Sequence, residues 1–138
     1  MKDISQAAFS LDHYKVSKFS FFEPIDDSEE ISIKFRPSGR YNSQNGEFVL
    51  SFNFQATSGE QERQLIEATM DAFFKFRKSI DAKEIPEYFY KNSLAIVFPY
   101  LRAFISTLTA VANTKPLILP LMNLSMLEEP LRSNTTFD

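Results

Sequence analysis

Few residues in this chain of 138 residues are of the types and spacing that support catalysis. His13 is the one histidine, and no Gly-x-Ser-x-Gly motif accompanies it, so a Ser-His-Asp hydrolase is not indicated. The three glycines, Gly39, Gly46 and Gly59, each lie in a predicted turn and form no phosphate-binding loop. Cysteine is absent, which excludes disulfides, thiolate metal sites and cysteine nucleophiles. We therefore expect neither an enzyme nor a protein with a metal or other cofactor.

The charge balance argues against a dedicated nucleic-acid binder. Fifteen Lys and Arg face 18 Asp and Glu, which leaves a net charge of -3. Two basic-aromatic clusters, 34–36 and 74–78, could stack on bases, but alternation of Phe inward and charge outward on strands explains them better. No secretory signal pattern opens the sequence, so we expect a cytoplasmic protein. The apolar segment 94–112 contains Pro99 and Arg102, so no stable membrane insertion is expected.

The first two-thirds of the chain has the pattern of strands. Residues 14–22 carry spaced aromatic and apolar side chains, and 31–36 alternate until Pro37 and Gly39 interrupt them. After turn-forming residues that include Asn45-Gly46, alternation is cleanest from Phe48 to Ala56. The segment 61–78 fits a strand and an amphipathic helix about equally by periodicity.

The last third of the chain predicts one long helix followed by a proline-broken apolar segment. Between 94 and 111 apolar residues lie on nearly every helical face, so another subunit is expected to cover the outer face. Residues 117–124 are apolar but broken by Pro120, which predicts an ordered loop over the domain. The 15 Phe residues favour a Phe-rich core and an aromatic contact surface about equally.

Two segments carry a resemblance to a known family. Residues 95–106, Ala-Ile-Val-Phe-Pro-Tyr-Leu-Arg-Ala-Phe-Ile-Ser, resemble the first long helix of SecB chaperones. Residues 116–124, Pro-Leu-Ile-Leu-Pro-Leu-Met-Asn-Leu, resemble the loop that follows that helix in the family, with the second proline one position early. The family's order of strands makes 61–78 the fourth strand.

The resemblance implies an α+β fold with a four-stranded antiparallel sheet, one long helix packed on a face, and a C-terminal helix that is short or absent. It implies a single domain over 1–138 with a frayed tail from about 130 to 138. Family members are dimers of dimers, and a homotetramer is the form that the resemblance implies. The implied activity is that of an ATP-independent holdase, which keeps unfolded or precursor polypeptides competent for folding or for export by the SecA motor. Two alternatives stay open: a dedicated chaperone of an antitoxin or another single client, and a structural or adaptor protein without chaperone activity.

The resemblance also assigns roles to individual residues. It implies contacts to the motor protein at Leu65 and Glu67, whereas on the first strand Lys18 and Phe22 replace the family's acidic residues. It implies client binding by Ile66, Ala68, Met70, Leu117, Leu119, Leu121 and Met122. An oligomer interface is expected at Phe98, Tyr100, Leu101, Phe104, Ile105 and Leu108.

Overall fold

One sheet and one long helix organise the chain in the computed structural model, which describes residues 8–22, 30–59, 63–112, 114, 117–120 and 122–138. The five strands lie in the order β1-β4-β3-β2-β5. Their bounds are β1 Phe9–Phe21, β2 Ile31–Asn42, β3 Glu47–Ser58, β4 Arg63–Phe76 and β5 Thr135–Phe137. The α-helices are α1 Glu87–Val111 and α2 Glu128–Ser133, with 3-10 turns at Ala82–Glu84 and Leu124–Leu127.

The central hairpin follows the pattern read from the sequence. On β3, Phe48, Phe52 and Phe54 alternate with half-buried polar residues and are fully buried. The turn into β3 places Gly46 at φ 70°, a conformation that glycine adopts without steric cost. The ambiguous segment 61–78 contains the strand β4, so the strand interpretation is confirmed over Arg63–Phe76.

The expected interruption of β2 at Pro37 and Gly39 is wrong, because the strand runs through both residues. The Gly39 amide donates to the Asn134 carbonyl at the outer edge of β2, and Pro37, two residues earlier, directs its nitrogen to that same edge. Among the described residues no strand pairs with β2 at Pro37, so the missing donor disrupts no ladder bond. Gly39 is required by packing, because a Cβ there would lie 2.4 Å from the Phe48 ring.

Two β-bulges in β1 keep its apolar residues on one face. The register against β4 shifts between Leu11 and His13 and again between Val16 and Lys18. Each shift inserts one residue, which reverses the alternation that follows. As a result Val16 lies opposite Met70 and Phe19 opposite Ala68, so both face the same side of the sheet.

The core lies between that side of the sheet and α1. Its centre is Phe89, whose ring is 4.7 Å from the Phe9 ring and 4.6 Å from the Phe48 ring, both edge-on. Such edge-to-face pairs add about 0.5–1.5 kcal/mol each beyond the burial of area. Farther along the helix, Phe98 contacts Phe35 of β2 at 5.9 Å.

The C-terminus corrects the prediction of a purely antiparallel, four-stranded sheet. The sheet has five strands and is mixed, because β5 pairs in parallel with β2 at Gly39–Tyr41. The expected frayed tail over about 130–138 instead forms most of α2 and the whole of β5. Leu131 anchors the segment in the core, and Pro130 lies in the first turn of α2, where its missing N–H is tolerated. The expectation of a short C-terminal helix is confirmed.

By length and composition α1 could cross a membrane, with a mean hydropathy of 1.7. The core helix of a soluble protein has the same properties, and Leu94, Val97 and Leu101 on α1 are fully buried in the core of this chain. One face of the helix is therefore already covered by protein.

Candidate functional site

The helix α1 divides its apolar residues between the core of its own chain and an uncovered surface. Three residues expected at an oligomer interface, Phe98, Leu101 and Ile105, are buried in the core, and of these only Phe98, at 6% exposure, reaches the surface. Tyr100 is 43% exposed, and Phe104 and Leu108 are half-buried. Other exposed residues on the helix near them are small or apolar: Ile96, Pro99, Ala103 and Thr107.

An aromatic surface lies where α1 passes β1. We call Tyr14, Phe19, Tyr100 and Phe104 the aromatic shelf. The rings of Tyr14 and Tyr100 are 4.7 Å apart, and those of Phe19 and Phe104 are 5.7 Å apart. Phe19 remains 53% exposed despite this contact. The shelf borders the outer edge of β1, with which no described strand pairs.

A second apolar surface lies between α1 and the loop that follows it. We call the depression lined by Phe98, Pro99, Arg102, Ala103, Ser106 and Ile118 the loop groove; its volume is about 430 Å³. Its walls are mainly apolar, and Arg102 adds a cation at one side. Ile118 is 66% exposed, so its side chain is open to an incoming ligand.

Thr109 ties the outer wall of the loop groove to the helix. Its buried hydroxyl donates to the Ile105 carbonyl at 3.0 Å and accepts from the Leu117 amide at 2.9 Å. The Thr114 hydroxyl donates to the Thr109 carbonyl at 3.1 Å, which holds the start of the loop. Ile118 directly follows the anchored residue, so these bonds set its position.

The loop residues that were predicted to bind a client lie in different environments. Leu119 is fully buried and Leu117 is half-buried, so both hold the loop against the core. Met122 is 37% exposed and accessible. Leu121 lies outside the described residues.

The β4 residues that were predicted as sites are mostly inaccessible. Ile66, Ala68 and Met70 face α1, and each is at most 3% exposed, so they form the core and not a surface. Leu65 lies at a register irregularity of β4 and is 2% exposed. The Leu65 side chain therefore presents no contact surface to a motor protein in a single chain.

Glu67 is the one residue of that group on the other face of the sheet. Burial raises the pKa of its carboxyl, but hydrogen bonds from Asn53, Gln55 and Lys18 outweigh this and hold the pKa below the ordinary value of 4.5. The Lys18 ammonium lies 3.3 Å from the Glu67 carboxylate. Glu67 is therefore ionised but already paired.

Sequence reasoning missed Thr109 and Ile118, which shape the loop groove. A hydroxyl residue near the end of an apolar helix was the available signal for Thr109. Ile118 could not be separated from Leu117 and Leu119, because all three are apolar. Across the described ranges, no group of three or more His, Asp or Glu residues could hold a metal ion.

Comparison with known proteins adds three findings. The family described as preprotein translocase subunit SecB matches residues 10–129. Over 48 residues the chain is 52% identical to uncharacterized protein MJ0357 of Methanocaldococcus jannaschii, and the match covers 32% of this chain and 31% of that protein. The match thus spans less than a third of that relative's length.

The third finding concerns the fold. The chain is similar in structure to the Mycobacterium tuberculosis Rv1957 SecB-like chaperone, which was solved in complex with a ChAD peptide from the Rv1956 HigA1 antitoxin. The TM-score is 0.69 and the identity 15%, and the similarity covers 84% of this chain and 88% of that chain. At this identity the likeness shows the fold.

Proposed function

Because the chain belongs to the family of the preprotein translocase subunit SecB, we propose that it is a cytoplasmic, ATP-independent holdase for unfolded or precursor polypeptides. The observation that carries the proposal is the exposed apolar surface on both flanks of α1. The loop groove and the aromatic shelf remain open although the sheet and helix already enclose a complete core. Extended apolar polypeptide segments gain free energy by burying against such surfaces.

The accessible residues carry client binding in this proposal. Ile118, Met122 and the half-buried Leu117 form the loop side, and Tyr100 and Phe19 form the shelf side. The free edge of β1 supplies backbone pairing next to the shelf. Met122 is flexible and polarisable, which suits clients of varied sequence.

The holdase proposal is tested by aggregation of a reduced, unfolded model protein at a stoichiometric ratio of chain to client. Wild-type protein should suppress light scattering, and Ile118→Asp and Tyr100→Asp should each weaken suppression, because a carboxylate opposes burial of apolar client segments. Tyr88→Asp is the matched control, since Tyr88 is 53% exposed on the same helix but lies twelve residues from Tyr100, about 18 Å along its axis. Unchanged aggregation with the wild-type chain would refute the proposal.

A homo-oligomer, a dimer or a dimer of dimers, is the second part of the proposal. The outer residues Ile96, Pro99 and Ala103 leave an apolar stripe of α1 uncovered, which a second copy of the chain can bury. Light scattering should give at least twice the monomer mass of 15.9 kDa. A mass near that of the monomer would contradict this part.

A chaperone dedicated to one client, such as an antitoxin, is the alternative that one observation favours. The structurally similar Rv1957 is a SecB-like chaperone solved with an antitoxin peptide. Two residues of this chain were expected to contact SecA. Leu65 is buried, and the Glu67 carboxylate is already paired with the Lys18 ammonium. Pull-down with SecA and with an antitoxin encoded nearby would separate the two: SecA capture supports export, and capture of the antitoxin alone supports the dedicated chaperone.

A further inference from the structure

The face of the sheet opposite α1, which we call the open face, carries a surplus of positive charge in a chain whose net charge is -3. Residues directly opposite each other on paired strands lie on the same face of the sheet. The strand register therefore identifies which residues belong to the open face. Six cationic side chains lie at these paired positions against three carboxylates. The cations are Lys15, Lys18, Lys34, Arg36, Arg40 and Lys75, and the carboxylates are Glu47, Glu67 and Asp71. A fourth carboxylate, that of Asp12 in the first bulge of β1, lies 2.7 Å from the His13 ring on this face.

The three carboxylates are already engaged within the sheet. Glu67 pairs with Lys18, and Glu47 lies 3.8 Å from the Lys75 ammonium. Asp71 accepts a hydrogen bond of 2.7 Å from the Ser51 hydroxyl. The acidic groups therefore do not neutralise the remaining cations by ion pairing.

Four cations are left over, and three of them follow one strand. Lys34, Arg36 and Arg40 point to the open face of β2, where a step of two residues is about 6.8 Å. All three are exposed and form no ion pair with any described residue. Lys15 on β1 is the fourth, exposed and placed over the Phe73 ring at 5.5 Å.

A shallow depression of about 390 Å³ lies between Lys15 on one side and Arg40 on the other. Val49 and Phe73 line it together with the Ser51 hydroxyl and the Asp71 carboxylate, so its walls are mainly polar. The depression therefore places two cations, Lys15 and Arg40, on either side of one carboxylate that Ser51 already engages.

We propose that the open face binds an acidic polypeptide segment, with its carboxylates beside Arg40 and the Lys34–Arg36 row. Charge complementarity selects an acidic partner. A nucleic acid fits less well, because the Phe73 ring on which a base would stack is already covered. The His13 ring covers Phe73 at 4.3 Å with an interplanar angle of 7°. This proposal does not rest on the holdase activity, since it concerns the opposite side of the sheet.

The test is fluorescence anisotropy with a labelled twelve-residue peptide that alternates Glu and Ser around one central Leu. Matched probes replace every Glu by Gln or by Lys, and an oligothymidylate of the same length represents nucleic acid. Wild-type protein should prefer the Glu peptide, and raising the salt from about 50 to 300 mM should weaken binding. The double variant Arg36→Glu with Arg40→Glu should lose about tenfold or more in affinity for the Glu peptide and should now prefer the Lys peptide.

The expected switch of the double variant from the Glu peptide to the Lys peptide separates loss of charge from loss of folding, because a misfolded variant would not gain a new preferred ligand. Lys83→Glu with Lys91→Glu is the matched control, since both lysines are exposed and lie outside the sheet. Equal binding of the Glu and Gln peptides, tighter binding of the oligothymidylate, or unchanged preference in the double variant would each overturn the proposal. The double variant should still suppress aggregation, so failure here and failure of the holdase proposal are distinguishable.

Discussion

The loop groove should open when the Thr109 hydroxyl is removed without a change of shape. Thr109→Val keeps the β-branched volume but leaves the half-buried Leu117 amide without its 2.9 Å acceptor. An unsatisfied buried donor costs about 1–3 kcal/mol. The methyl group that replaces the hydroxyl offsets part of this cost, by at most about 0.8 kcal/mol for a buried carbon. We therefore expect the attachment of the loop to weaken by up to about 2 kcal/mol.

Hydrogen exchange measures this directly at the Leu117 amide. A weakening of up to about 2 kcal/mol corresponds to exchange up to about 30-fold faster, since 1.4 kcal/mol is a factor of ten. In the aggregation assay the variant should hold clients less well, because Ile118 no longer has a fixed place beside α1. Thr107→Val is the matched control: Thr107 is exposed on the same helix and makes no side-chain hydrogen bond to a described residue.

The reasoning fails if Thr109→Val leaves exchange at Leu117 unchanged, because the hydroxyl would then not hold the loop. It also fails if Thr107→Val gives the same acceleration, since the effect would belong to the helix as a whole. If exchange at Leu117 is faster but client holding is normal, the Thr109 hydroxyl does anchor the loop, but the loop groove is not part of the client-binding site.

Three further predictions test the core, the sheet and the open face. Phe89→Ala should lower the free energy of unfolding by about 3–5 kcal/mol in urea titration, because it empties the centre of the aromatic core, while Tyr88→Ala should change it far less. Gly39→Ala should cost about 1–3 kcal/mol through the clash with Phe48, and a gain in melting temperature would contradict the packing argument. Because the pKa of Glu67 is lowered on folding, its stabilising effect is present above the unfolded value near 4.5 and is lost as pH falls through the folded value. Wild type should therefore exceed Glu67→Gln in stability at pH 7, and the difference should shrink below about pH 4; a difference independent of pH would be evidence against the ionised pair.

The strands and the helix were predictable because their hydrophobic periods are local. The alternation from Phe48 to Ala56 needs no tertiary information, and β3 follows it residue by residue. The parallel pairing of β5 was not predictable, since three residues with no alternation carry no signal of a partner 96 positions away. Pro37 misled the prediction because its effect depends on which edge its nitrogen faces, and the hydrogen bond at Gly39 reveals that edge.

The candidate site was predicted less well than the fold, for a physical reason. A core face and a client-binding face both require apolar side chains, so Met70 and Ile118 look alike in the sequence although one is fully buried and the other is 66% exposed. The same holds along α1, where Leu101 enters the core and neighbouring Tyr100 stays on the surface. Of the 15 Phe residues, some fill the core and others, such as Phe19, stay exposed. The sequence allowed a Phe-rich core or an aromatic contact surface, and each interpretation applies to different Phe residues.

The strand β1 connects the two proposed surfaces through its bulges. A strand with strict alternation would place Val16 and Lys18 on one face, and Phe19 on the other. The register shift between Val16 and Lys18 reverses this, so that Phe19 joins the aromatic shelf and Lys18 reaches Glu67 on the open face. The bulge therefore separates apolar contacts on the helix side from charged contacts on the other side of the same strand. The two proposed surfaces share a strand but no side chain, so we expect a client on one face and an acidic partner on the other to bind at the same time.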